Sequence, residues 1–400
     1  MGDGIMRIKN YFLPPLILLL ALSLLASGKK DEEKDLLDNL DLFTDVVTMV
    51  DEDYYRDVGP GDLMMGAVGG MMASLDRYSY IKKEGEVGSA GIGIELAIMD
   101  NLLTVISAVE GGPAAKAGII HGDRIIKVNG DLMRNVTLDD IRRMVRGAPG
   151  DEVKLTLYRE GMKGTNDVVL QMQEVTSPGM VECIPLEDAT GYVRLASFPA
   201  GSGREFIKGV KGLTKDGVSG LVIDLRDNPG GDIDEAVAVA GYLIGDGKKI
   251  ASIESRLEGE RKEIRAPSAP PPDVSIVVLV NGGTASEAEV VAGALKESGK
   301  AVLIGSTTFG DGSIQKDIPL EETLCLHLTV GRYAVSGEDS FDGDGIEPDV
   351  EVIIGPGEEA LLQQIREGVD VDEKDTPADS QLEMAVDLIK GIEVLGGESK

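Results

Sequence analysis

The chain has 400 residues, 42% hydrophobic and 27% charged, a balance that excludes wholesale disorder and leaves room for two or three domains. Its formal net charge of −31 repels phosphate backbones, which argues against nucleic-acid binding. Two cysteines (Cys183, Cys325) and two histidines (His121, His327) stand apart in sequence, so no disulfide framework or zinc-type motif is present and no cofactor is expected.

At the N-terminus, Arg7 and Lys9 precede an apolar run from Tyr11 to Ala26, followed by Ser27 and Gly28. A basic start, a short apolar stretch and small residues make an export signal over residues 1–28. The run falls short of the roughly 20 residues of a spanning helix, and Pro14-Pro15 interrupts it. The expectation is a chain on the extracytoplasmic or periplasmic side, with the segment either cleaved or kept as a membrane anchor. Residues 29–87 read as an N-terminal helical segment. Leu36, Leu40, Phe43, Val47 and Val50 recur at helical spacing, Gly59-Pro60-Gly61 breaks the pattern, and a Met-rich helix runs from Leu63 to Leu75.

From residue 88 to 174 the pattern changes to short strands. Gly91-Ile92-Gly93-Ile94 is a glycine loop entering a strand, Leu102–Val109 is a second strand, and a short helix opens at Pro113 and stops at Gly118. Strands at Asp123–Val128, Asp151–Tyr158 and Val168–Met172 and a helix at Leu138–Val145 complete the block. Residues 175–357 alternate strands and helices, which predicts a layered α/β core. Its continuous apolar runs Leu221–Leu225 and Ser275–Val280 read as strands buried on both faces. Residues 358–400 form an acidic, helical tail with a linker at 369–377.

Two glycine turns and a serine stand out as chemistry. Ser286 follows a buried strand and opens a helix. Ser286-Glu287-Ala288-Glu289 fits a capping box, so the serine has a purely structural reading. It has a functional one as well, since a strand-to-helix turn exposes a nucleophile beside backbone N–H groups. The Asn228-Pro229-Gly230-Gly231 turn offers such N–H groups. Asp342-Gly343-Asp344-Gly345 fails as a calcium loop, because Pro348 interrupts it and Ile353 takes the place of the bidentate acid.

The 88–174 block resembles a PDZ domain, through the Gly91–Leu96 loop and strand, Gly112-Pro113-Ala114, Gly122-Asp123-Arg124-Ile125 and Val128-Asn129-Gly130. That resemblance implies capture of a peptide C-terminus, with its carboxylate held near Gly91, Ile92, Gly93 and Ile94. Over nearly all of residues 36–395 the order of elements resembles the carboxyl-terminal processing peptidases, exported serine peptidases with an embedded PDZ domain. The matching segments are Leu75–Tyr80, Leu225-Arg226-Asp227-Asn228-Pro229-Gly230-Gly231, Val280–Glu289, Thr308–Gln315 and Gly345-Ile346-Glu347-Pro348-Asp349. The resemblance implies that Ser286 is the nucleophile, that Gln315 orients the general base, and that the N–H groups of Gly231 and Glu287 stabilise the oxyanion. The family's base is a lysine in T-F-G-K-G, whereas this chain reads Thr308-Phe309-Gly310-Asp311-Gly312, so Asp311 occupies the base position. Lys316 and His327 are poor substitutes: the first points to the opposite face of its strand, and the second resembles an exposed family position. Two functions follow from this reading. One is an exported peptidase cutting proteins near their C-termini. The other is a pseudoenzyme that binds peptide termini as an adaptor.

Overall fold

A computed structural model of the chain describes residues 37–83, 89–134, 136–321, 323–336, 339–372, 374 and 376–397. The export segment predicted at residues 1–28 lies outside them. Among the described residues no helix is long and apolar enough to cross a membrane. The chain divides at residue 71. Before the division lie a helix over residues 37–53 and most of a helix Pro60–Ala73. Pro60 opens this second helix instead of lying in the break before it, because a proline at the first turn gives up only an N–H that would be unpaired anyway.

Among the described residues, three six-stranded sheets and one two-stranded pair, Ala90–Gly91 with Arg146–Gly147, build the rest. The central sheet runs, in order, Met180–Pro185, Thr190–Leu195, Gly220–Asp224, Ser275–Val280, Ala301–Gly305 and Val350–Glu351. Its pairings are parallel from Thr190–Leu195 onward, and only the Met180–Pro185 edge is antiparallel. Side chains alternate between its faces. Leu221, Ile223, Val278 and Val280 pack under the helices Ser202–Lys215, Ile233–Ile244 and Glu287–Glu297. Val222, Val277 and Leu279 on the opposite face pack against Ala385 and Ile389 of the last helix, Ser380–Gly397. The predicted tail therefore supplies one whole layer of the α/β sandwich.

A second, antiparallel sheet joins Lys249–Ser255, Lys262–Arg265, Ser313–Glu321 and Leu324–Ser336. Tyr80–Lys83 pairs with Leu324–His327 along its edge, so these four residues are a strand where the sequence pattern gave helix. The Lys249–Ser255 and Lys262–Arg265 strands were not expected at all. Their burial mixes inward Ile250 and Ala251 with exposed charges, and no run of residues alternates long enough to betray them.

The PDZ sheet is ordered Ile94–Met99, Leu102–Ala108, Arg124–Val128, Glu152–Tyr158 and Thr165–Gln171. Ile94–Met99 is an edge strand, with the helix Leu138–Met144 against it. An edge strand beside a helix is where an added peptide strand can pair. This domain has its own core around Leu103, Ile125, Ile141, Val153 and Leu155. A helix at Pro356–Arg366 ties it to the peptidase core, where Gln363 Nε2 donates to the Ile119 carbonyl at 2.9 Å.

Candidate active site

The site forms at the C-terminal ends of the neighbouring parallel strands Gly220–Asp224 and Ser275–Val280, where open α/β sheets leave a crevice. Each strand leads into a turn held by buried side-chain amides. Asn228 Nδ2 donates to the Leu195 carbonyl and its Oδ1 accepts Gly230 N–H, both at 2.9 Å. Asn281 Oδ1 accepts Asp227 N–H at 2.9 Å and Gly283 N–H at 3.1 Å. Ala285 N–H then bonds the Asn228 carbonyl at 2.9 Å, which locks the two turns together. Gly231 cannot be another residue here: its φ is +145° and a Cβ would lie 2.6 Å from the Phe198 carbonyl oxygen.

Ser286 has φ 52° and ψ −121°. An ordinary N-cap residue sits in the β region. A non-glycine residue strained like this, between a buried strand and the helix Glu287–Glu297, has the backbone of a nucleophile turn. The capping glutamate is nonetheless there. Glu289 is fully buried, and its carboxylate accepts Ser286 N–H at 3.0 Å, Asp311 N–H at 2.8 Å, Gly310 N–H at 2.7 Å and the Thr308 hydroxyl. Burial pushes its pKa up to about 7, against the pull of those donors. It thus fixes the serine turn to the 308–311 loop. In sequence it showed only as the fourth residue of a capping box.

Every site residue implied by the peptidase resemblance gathers here. Ser286, Gly231 and Asp311 line one cavity of about 340 Å³, together with Phe198 from the core and Glu95 and Ile106 from the PDZ domain. Asp311 Oδ1 accepts the Ser313 hydroxyl at 2.5 Å and Ser313 N–H at 3.2 Å. The Gln315 amide donates in turn to Ser313 Oγ. The glutamine therefore reaches position 311 through Ser313, and the group it orients is a carboxylate. Burial raises the Asp311 pKa, opposed by the bonds from Ser313. Glu287 contributes more than its N–H: its Oε2 accepts Gly231 N–H at 2.9 Å. Lys316 is exposed and pairs with Glu260 at 3.5 Å, and His327 Nδ1 lies 2.5 Å from Asp317, so neither is a base for Ser286.

The residues that the PDZ resemblance implies for peptide capture lead into the Ile94–Met99 edge strand. Gly91 bridges to Gln173 on one side, and the Ile92 and Gly93 carbonyls accept Ala114 N–H and Val109 N–H, both at 3.0 Å. Gly93 has φ +69° and Ile94 begins the edge strand.

His121 was no part of any sequence motif. The fold brings it from the PDZ domain against Asp227 at 3.3 Å and Glu359 at 3.6 Å. These three residues could present ligand atoms to a cation. Asn281 donates to Asp227 at 2.9 Å and to Glu359 at 2.8 Å, and Arg366 donates to Asp227 at 3.1 Å, which suits a hydrogen-bonded ion cluster around a protonated imidazole. Burial alone would lower the His121 pKa, but Glu359 and Asp227 outweigh it and push it up to about 9. Because the folded value lies above the unfolded ~6.5, the stabilisation is complete below that pH and is lost as pH rises through about 9. Melting temperature should fall over this window in the wild type by the equivalent of roughly 3 kcal/mol. The fall should be absent from His121→Gln, and an identical pH profile in the variant would refute the assignment.

A model of peptidase family S41 matches residues 189–352 and a PDZ-domain model matches residues 104–159. The chain is 32% identical over 361 residues to the carboxy-terminal-processing protease of Bartonella bacilliformis, spanning 86% of this chain and 81% of that protein. It is 34% identical over 312 residues to the carboxy-terminal processing protease CtpA of Bacillus subtilis, over 75% of this chain and 66% of that one. Among solved structures, the photosystem II D1 C-terminal processing protease superposes with a TM-score of 0.66 at 28% identity, covering 84% of this chain and 98% of that chain.

Proposed function

The chain belongs to the serine peptidases of family S41, among the carboxy-terminal processing proteases, and from that premise we propose that it is an exported endopeptidase that cleaves captured protein C-termini at Ser286. The observation that carries this reading is the strained Ser286 turn in one cavity with the Gly231 loop. A substrate C-terminus pairs with the Ile94–Met99 edge, its carboxylate meeting the Gly91–Ile94 loop, and the chain upstream enters the cavity that Glu95 and Ile106 share with the core. Ser286 Oγ attacks the peptide carbonyl, and the N–H groups of Gly231 and Glu287 hold the developing oxyanion. Asp311 stands at the position of the proton acceptor. A carboxylate is a weak base toward a hydroxyl, which makes turnover slow. Export of the chain, and membrane association through residues 1–28, belong to the same proposal and rest on the basic and apolar pattern of that segment.

A second reading, a peptide-binding module without turnover, is favoured by that same carboxylate at position 311. One experiment separates them. An unstructured protein with a free apolar C-terminus is incubated with the purified chain, beside its C-terminally amidated form and beside Ser286→Ala. The peptidase reading expects Ser286-dependent cleavage that is weaker for the amidated substrate. Tight binding of the free form with no cleavage would establish the binding module, and equal handling of both forms would remove carboxylate capture.

A further inference from the structure

We propose that the Glu287 side chain plugs the oxyanion hole from within the chain, so that the resting site is closed to a substrate carbonyl; this rests on reading Ser286 as the nucleophile. Glu287 opens its helix, and an acid there has an ordinary explanation in the helix dipole. Its carboxylate does something else. It crosses to the 227–231 turn, 56 residues earlier in the chain, and accepts Gly231 N–H at 2.9 Å. That N–H is one of the two donors that would hold a tetrahedral oxyanion. The carboxylate sits at the serine turn itself: Oε2, Ser286 Cβ and the Glu287 nitrogen all lie against Gly230, at 2.5, 2.9 and 3.0 Å from where a Cβ on it would be. An oxygen on this donor, beside the nucleophile, is what the transition state presents. The side chain therefore mimics the intermediate, and substrate must displace it before the serine can react.

An intramolecular occupant lowers apparent reactivity by the fraction of time the site is open. The test is the rate at which a fluorophosphonate labels Ser286, an event that forms the Oγ–P bond, breaks the P–F bond and releases fluoride and the serine proton to water. Wild type, Glu287→Ala and Glu287→Gln are compared, each also carrying Asp311→Lys, with Ser286→Ala as the blank. Glu287→Ala should label about 10–100-fold faster than its parent in both backgrounds. Glu287→Gln, which keeps the size but not the charge, should gain part of that. Melting temperatures exclude a loosened site as the cause. Unchanged Ser286-dependent labelling in Glu287→Ala overturns the plug and leaves the peptidase reading intact. Slower labelling overturns it as well, by making Glu287 the acceptor of the serine proton. No labelling in any variant, the Asp311→Lys/Glu287→Ala pair included, overturns the nucleophile reading and the plug with it.

Discussion

Asp311→Lys should raise Ser286-dependent cleavage by about 10²–10⁴-fold, the usual worth of a positioned general base. The parts that would hold the new base are already in place. Gln315 donates to Ser313, Ser313 bonds position 311, and Glu289 fixes the 310–311 backbone against the serine turn. A lysine here must be neutral to take the serine proton. Burial would lower its pKa, while the Glu289 and Asp342 carboxylates that already act on Asp311 or its neighbours would raise it. Activity of the variant should therefore climb with pH. The variant also loses the carboxylate that accepts Ser313 N–H and Oγ–H, a loss of about 1 kcal/mol for each bond. Cleavage and melting temperature are measured for wild type, Asp311→Lys and Asp311→Lys/Ser286→Ala. A folded lysine variant with no Ser286-dependent cleavage would show that more than the base separates this site from an active one.

Much of this site was legible in the sequence because its parts are local. A buried apolar strand followed by a glycine turn announces itself at Leu221–Gly231 and Val277–Ser286, and the helix Ile233–Ile244 and strand Ala301–Gly305 fall where periodicity puts them. What stayed hidden depends on long-range pairing. Lys249–Ser255 is a strand because Ser252–Ser255 pairs with Gly331–Ala334, some 80 residues away, and no local pattern records that. Tyr80 reads as the end of a helical stretch until its ring is seen buried in the PDZ core. His121, Asp227 and Glu359 come from three segments, so only the folded chain reveals them as a cluster. Glu289 is in view as the capping-box acid and Glu287 as an oxyanion N–H donor, but their carboxylates act across loops, at Thr308–Asp311 and at Gly231.

Arg226→Ala should cost about 3–5 kcal/mol, the range for removing one partner from a buried ion network. Arg226 is 3% exposed and joins two layers of the core. Its guanidinium donates to Asp224 through Nε at 3.0 Å and a terminal nitrogen at 2.7 Å, to Asp379 at 2.9 and 2.8 Å, and to Gln381 at 3.1 Å. Asp224 ends a central strand and is fully buried. Burial alone would raise its pKa, but Arg226 and Arg194 outweigh it and hold the carboxyl well below the usual range. With the Arg226 side chain gone, Asp224 keeps the backbone N–H of position 226 at 3.0 Å, Arg194 at 3.3 Å and the Tyr192 hydroxyl at 2.7 Å. Asp379, at the start of the last helix, loses its cation entirely among these partners. Arg226→Lys should recover little, because one ammonium cannot span two carboxylates and an amide in the plane a guanidinium fills. Asp379→Ala should cost less than Arg226→Ala, since its side chain is 20% exposed and Asp224 would still hold the guanidinium. Denaturant midpoints at neutral pH rank the three variants. If Arg226→Ala fell within about 1 kcal/mol of wild type, as surface pairs do, the network would not be what fixes the last helix to the strand. The effect should also reach the site: Asp224 and Arg226 lead directly into the turn that carries Gly231, so Arg226→Ala should slow Ser286 labelling at temperatures where the variant is still folded.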